Sequence, residues 1–225
     1  MKNGRPFAAF LVLLLCTLST AKGQGNFQNL NFEQANPIFA GSPNVVTAAS
    51  AFPFWSVYYS GVQQTEVSYD AISTGATEVT LITSTNQNLP AIDGKYSVLL
   101  QGIVPGSTAS ISQTGLIPSG TQSILFEANS YFGAQGPLEL FLGTQSVPFF
   151  DVGAGANYTL YGANISAWAG QSEQLTFLAP GGSYNNWEID DITFSPNSVP
   201  EPTTLALILM GAAALAARRW RTKRA

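Results

Sequence analysis

The run Glu78-Val79-Thr80-Leu81-Ile82-Thr83, followed after an Asp93-Gly94 turn signal by Tyr96-Ser97-Val98-Leu99-Leu100-Gln101, decides the character of this chain. Side chains of an extended strand project alternately to its two faces, and β-branched residues suit that pleated surface. The same signature recurs outward in both directions. It is found at 54–59 (FWSVYY), 65–69, 109–114 (ASISQT), 123–128 (SILFEA), 138–142 (LELFL), 158–165, 174–178 and 187–194 (WEIDDITF), with Leu30 and Phe32 opening the series in NLNFEQ. Gly, Pro, Asn and Ser separate segments spaced about ten residues apart, which predicts about ten to twelve strands in an all-β sandwich or barrel. Residues 165–170 (ISAWAG) predict a short helical turn, and no fixed-period repeat is present.

Both ends of the chain read as addresses. Lys2 and Arg5 precede an apolar stretch from Phe7 to Leu18 and small residues at Ser19, Thr20, Ala21 and Gly23. That is a secretory signal peptide over residues 1–23, formed around a signal helix and read by the Sec export machinery, with cleavage between Ala21 and Gln24. A lipoprotein reading of Leu14-Leu15-Cys16 is weak, because Leu15 is bulky where a small residue is wanted. At the other end, Val199-Pro200-Glu201-Pro202 is followed by the uncharged run Thr203 to Ala217 and then by Arg218, Arg219, Arg221, Lys223 and Arg224. At ~1.5 Å per residue the run spans about 22 Å as a helix, short of a ~30 Å hydrocarbon core. It is a marginal transmembrane helix over 203–217, helped by Trp220 and by snorkelling of the basic tail at 218–225. The basic end predicts a cytoplasmic C-terminus for the membrane-held form.

Removing both ends changes the charge balance. Lys95 is the one cation between Gln24 and Ser198, against twelve acids, which leaves that body near −11 although the whole chain is at −4. Such a surface is a poor partner for nucleic acid and a better one for divalent cations. Cys16, in the signal peptide, is the one cysteine, and the chain has no histidine. Disulfides, Cys–His and Ser–His–Asp chemistry and ordinary zinc sites are excluded from the body. About 175 residues suit one domain, placed at 24–197.

Two resemblances follow from these motifs. Val199-Pro200-Glu201-Pro202 with its apolar run and Arg cluster, over 198–225, resembles the PEP-CTERM sorting signal. The resemblance implies an exosortase as partner, an inner-membrane-anchored intermediate held by the C-terminal helix, and release to the cell envelope or extracellular space. The order NLNFEQ, a Trp-bearing second strand, ASISQTGLIP leading into QSILFEA, and a closing WEIDDITFS resembles galactose-binding-like jelly rolls, carbohydrate-binding modules among them. It implies a jelly-roll β-sandwich of two antiparallel sheets and a polysaccharide partner. In such folds a structural Ca²⁺ ties the first strand to the last, and the matching positions here are Glu33 with Asp190 or Asp191. Strand alternation sends those two aspartates to opposite faces, so one of them is expected at the ion, with backbone carbonyls completing the shell. No cofactor is required; the alternative to a structural Ca²⁺ is that these acids cap strand ends or face water.

Aromatic residues give the second candidate site. Trp55, Tyr58, Tyr59 and Trp187 are candidates for a platform on which a pyranose ring stacks. The alternative is core: alternation places Trp55, Val57 and Tyr59 on one face and Phe54, Ser56 and Tyr58 on the other. Asp190, Asp191, Glu188 and Glu173 supply carboxylates for glycoside hydrolysis, which needs two across a cleft, and adjacent residues of one strand point apart. The chain is therefore expected to be no enzyme. Asn157-Tyr158-Thr159 and Asn164-Ile165-Ser166 match the glycosylation sequon and carry little weight in a bacterial chain. The reading is an exported, surface or matrix protein that associates with carbohydrate; the alternative is a purely structural matrix or biofilm component without a discrete ligand site.

Overall fold

The computed structural model describes residues 26–131, 136–182 and 184–199. The expected signal peptide at 1–23, Pro200-Glu201-Pro202, the expected membrane helix at 203–217 and the basic tail lie outside the described residues. Among the described residues, no helix is long and apolar enough to cross a membrane.

The described chain is all-β apart from one helical turn, α1 (Ala48–Ala51), and one 3-10 turn, Ser166–Trp168, which sits where the helical turn was expected. In chain order the strands are β1 (Phe39–Ser42), β2 (Val45–Thr47), β3 (Ser56–Tyr59), β4 (Val62–Gln63), β5 (Glu66–Tyr69), β6 (Glu78–Thr83), β7 (Tyr96–Gly102) and β8 (Thr108–Leu116). They continue as β9 (Ser123–Tyr131), β10 (Glu139–Leu142), β11 (Gln145–Ser146), β12 (Phe150–Ala154), β13 (Thr159–Asn164), β14 (Ser172–Pro180) and β15 (Asn185–Ser195). One sheet has the order β1-β2-β5-β6-β7-β15-β9-β13-β12 and the other β11-β10-β14-β8-β3-β4. From β7 onward the chain passes repeatedly between the sheets, so β15, the last strand, lies inside the larger sheet between β7 and β9. The result is a two-layer sandwich with jelly-roll crossovers.

Its core lies between the layers. Phe126 of β9 and Phe177 of β14 are both fully buried and meet edge to face across the sheets, 5.0 Å between centroids. Phe149 and Tyr161 pack on the same Phe126 ring at 5.2 and 5.6 Å. A second, smaller core of Ile82, Leu89 and Leu99 lies on the opposite face of the large sheet. The segment after β6 folds back over that face, anchored where Asp70 accepts from the Thr83 amide at 2.8 Å and the Thr83 hydroxyl at 2.7 Å.

Two expectations are corrected here. NLNFEQ is not a strand but a tight turn, with Asn29 and Phe32 at φ 51° and 56°. Asn29 organises it: its side chain accepts from the Gln34 amide at 2.9 Å and donates to the Pro53 carbonyl at 3.3 Å. Phe32 is thereby fully buried against Phe52 and Trp55, as a strand residue of that pattern would also be. The sheets are also not wholly antiparallel, because β5 and β6 pair in parallel through Ser68–Thr80 and Tyr69–Leu81.

Candidate functional site

Two regions of the body gather polar chemistry. The first is where the N-terminal turn meets the last strand. Glu33 Oε1 accepts from the amides of Lys95, at 2.7 Å, and Tyr96, at 3.0 Å. Gly94, at φ +57°, makes that approach feasible, since a Cβ there would stand 2.4 Å from Glu33 Oε1. From the other side Asp190 Oδ2 accepts from the Asp93 amide at 3.3 Å, and the Ile192 amide donates to Leu30 O at 3.0 Å. The loop 93–96 is thus clasped between Glu33 and Asp190, which ties the first segment of the body to the last.

The bulge between Asp190 and Thr193 interrupts the alternation expected of Asp190 and Asp191. Asp191 takes φ +43°, and its amide donates to Asp190 Oδ1 at 2.8 Å. Burial first, then the charges of Asp93 and Glu33, raise the Asp191 carboxyl above its ordinary range. Glu127, directly opposite Asp190 on β9, is raised by burial and by the charges of Asp191 and Asp93, against a hydrogen bond from the Tyr158 hydroxyl that lowers it. Glu33, Asp93, Glu127, Asp190 and Asp191 therefore occupy one acidic corner. Among the described residues, however, no three Asp, Glu, His or Cys side chains converge as a ready-made metal centre. Glu127 and Tyr158 were not singled out in the sequence; their partnership depends on the pairing of β9 with β13.

Behind this corner the outward face of β15 carries Asn186, Glu188 and Asp190, all at most 1% exposed. Ser97 donates to Glu188. Burial lifts Glu188 to about 7 in spite of that bond. Asp190 is lifted by burial to about 8, although the Asp191 and Asp93 amides lower it. Both amide atoms of Asn186 lack a partner among the described residues.

The second region is the solvent face of the smaller sheet. Register places Ser56, Ser112, Thr176, Phe141 and Ser146 in one row across it, and Gln63, Tyr58, Ser110, Leu178 and Glu139 in the next. Tyr58 is half-buried there among hydroxyl and amide groups. The other aromatic candidates belong to the interior. Trp55 is 6% exposed, and its indole donates to Asn29 O at 3.0 Å. Tyr59 packs on the core with its hydroxyl accepting from the Val79 amide at 3.2 Å. Trp187 packs on the core and donates to Gly136 O at 3.1 Å and Asn185 Oδ1 at 3.0 Å. These three are fastened by their polar ends and form no exposed platform. Phe54, 55% exposed and at φ +73°, was grouped with Tyr58 by alternation and lies just ahead of β3.

Comparison with known proteins bears first on the tail. Residues 198–223 match the PEP-CTERM protein-sorting motif, which implies export and sorting to the cell envelope. No curated protein matches the chain in sequence. Among solved structures, TmCBM61 in complex with β-1,4-galactotriose is similar at 16% identity and TM-score 0.37, over 76% of this chain and 98% of that one. A family 11 carbohydrate-binding module from Clostridium thermocellum, in complex with a β-1,3-1,4-mixed-linked tetrasaccharide, is similar at 9% identity and TM-score 0.37, over 66% and 92%. The enzymatically active domain of bacteriophage CBA120 tailspike protein 4 gives 13% identity and TM-score 0.37, and this chain covers 64% of its own length but 19% of the tailspike.

The buried carboxyls give a pH dependence. Glu188 and Asp190 hold their protons in the folded body to about 7 and about 8, while in the unfolded chain they ionise near their ordinary values of about 4. Between those limits the unfolded chain releases protons that the folded one retains, so stability falls as pH rises and levels off above about 8. Urea unfolding of residues 24–198 in chelator should show lower stability at pH 8.5 than at pH 5. Glu188→Gln should recover on the order of 3 kcal/mol at pH 8.5 and little at pH 5. An unchanged pH slope in that variant would contradict the assignment.

Proposed function

We propose that this chain is an exported, non-catalytic β-sandwich protein of the cell surface or extracellular matrix, processed by an exosortase at its tail and associating with carbohydrate or matrix through its body. The observation that carries the reading is the sorting motif at 198–223, which stands opposite a secretory signal pattern at 1–23. The apolar run Thr203–Ala217 holds the exported chain at the inner membrane after Sec translocation, and processing near Val199-Pro200-Glu201-Pro202 releases the body. Tail and enzyme meet as substrate and transpeptidase, so no residue of the tail is catalytic.

Carbohydrate association is supported by the solvent face of the smaller sheet. Tyr58 offers an aromatic surface for stacking, and Ser56 on the same strand and Gln63 across from it supply a hydroxyl and an amide suited to sugar hydroxyls. The interior placement of Trp55, Tyr59 and Trp187 favours the second reading, a structural matrix component without a discrete ligand site. In either case the acidic corner is where a structural Ca²⁺ would sit, because Lys95 is the one cation of the body. No three carboxylates converge there among the described residues, and Glu33 Oε1 and both Asp190 oxygens already accept backbone amides. An ion would therefore be held by Glu33 with Asp190 or Asp191, and backbone carbonyls and water would supply most of its shell.

Three measurements test these points. With Pro200 and Pro202 both changed to Ala, the full-length form should accumulate in the membrane fraction; unaltered processing would overturn the sorting reading. On a glycan array the body should give hits that Tyr58→Ala reduces at least about fivefold, in line with losing about 1–3 kcal/mol of stacking and packing. Silence across the array would leave the structural reading standing. Chelation should lower the melting temperature at pH 8, where the stability lost by burying Asp190 is nearly complete and its carboxylate is available to a cation; an identical melt with and without Ca²⁺ would remove the ion.

A further inference from the structure

The last described residue, Val199, is also the first of the Val-Pro-Glu-Pro motif. Pro196, Asn197 and Ser198 are exposed, and the chain then returns to the body, where Val199 is partly buried. It lies on Gly162 of β13. A Cβ built at Gly162 would stand 2.7 Å from Val199 Cγ1, 3.0 Å from Leu125 Cδ2 and 3.2 Å from Val152 Cγ1. Gly162 does not need glycine for its backbone, since its φ is not in the left-handed region. Instead, the absence of a side chain opens a slot between Leu125 of β9 and Val152 of β12, and Val199 fills it. The intervening turn is pinned as well: the Ser123 hydroxyl donates to Asn197 O at 2.7 Å, and the Asn197 amide donates to Ser195 Oγ at 3.1 Å.

We propose that the folded body restrains its own processing by docking Val199 in the Gly162 slot. This inference rests on the sorting reading given above. A transpeptidase must close around the backbone it cleaves, so a segment seated on the body has to leave its seat first. Here the residues leading into the motif are bound to the larger sheet at Asn197 and again at Val199. The competent state is therefore the undocked one, and its population scales the observed rate. Half the transfer free energy of a valine side chain corresponds to about fivefold in such an equilibrium. The Ser123–Asn197 bond adds to it. Val152 explains itself in the same way: 37% exposed on the edge strand β12, it is one wall of the slot.

The test uses the full chain expressed in a host that carries the exosortase, followed by pulse-chase of the full-length and processed forms. Inserting Gly-Ser-Gly-Ser between Asn197 and Ser198 leaves the body and residues 198–223 intact while lifting Val199 from the slot. Processing should be about fivefold faster. Val152→Ser opens the slot without touching the tail, and it should accelerate processing in a body whose melting temperature is unchanged. Wild-type or slower rates in both variants would overturn the proposal. The double change Pro200→Ala and Pro202→Ala separates the two claims. If it blocks processing while the insertion and Val152→Ser run at the wild-type rate, the docking inference alone falls. If it too is processed normally, the sorting reading falls with it.

Discussion

One cation, Lys95, accompanies twelve carboxylates in the body, and the fold places several of those carboxylates where water is scarce. Taking an ionised carboxylate out of water is costly unless it is paired or accepts hydrogen bonds. This chain has almost nothing to pair it with. Glu33 is satisfied by two backbone amides of the loop 93–96, and Asp190 by the amides of Asp93 and Asp191. Glu188 has Ser97 and retains its proton to about 7. The same hydrogen bonds join the N-terminal turn to the last strand, so the closure of the sandwich and the management of its charge are one problem. A bound divalent cation would relieve both.

Strand β15 is where these demands meet. Its inward side chains, Trp187 and Ile189, complete the core between the sheets, while Asn186, Glu188 and Asp190 face the second small core roofed by the segment after β6. The strand is paired on both sides and then carries the chain out through Ser195 to the motif. The last described strand thus lies inside the larger sheet, and the sandwich is complete only once the chain through Ser195 is in place.

Much of this was legible in the residues because strand alternation is local. The runs at 78–83, 96–101, 123–128 and 187–194 all lie within strands. Alternation over 54–59 separated Trp55, Val57 and Tyr59 from Ser56 and Tyr58, but which face is buried depends on the second sheet, and so Trp55 and Tyr59 were grouped with Tyr58 as platform candidates although they lie in the core. NLNFEQ misled because burial of Phe32 gives the same apolar spacing whether a strand or an Asn-organised left-handed turn delivers it. The Asp190 bulge was hidden for a related reason: an extra residue in a strand has no compositional mark. The Tyr158–Glu127 bond and the seat of Val199 on Gly162 depend on which strands become neighbours, and pairings between distant segments are not written in either segment alone.

The central claim is that this is an exported body delivered by two disposable ends. The intact mass of the protein recovered from outside the cells tests it most directly. The account gives a chain beginning near Gln24 and ending near the Val199–Pro202 motif, without Thr203–Ala217. Recovery of the extracellular protein with its apolar run and basic tail still attached, or of the protein in the cytosol with Met1 retained, would contradict it.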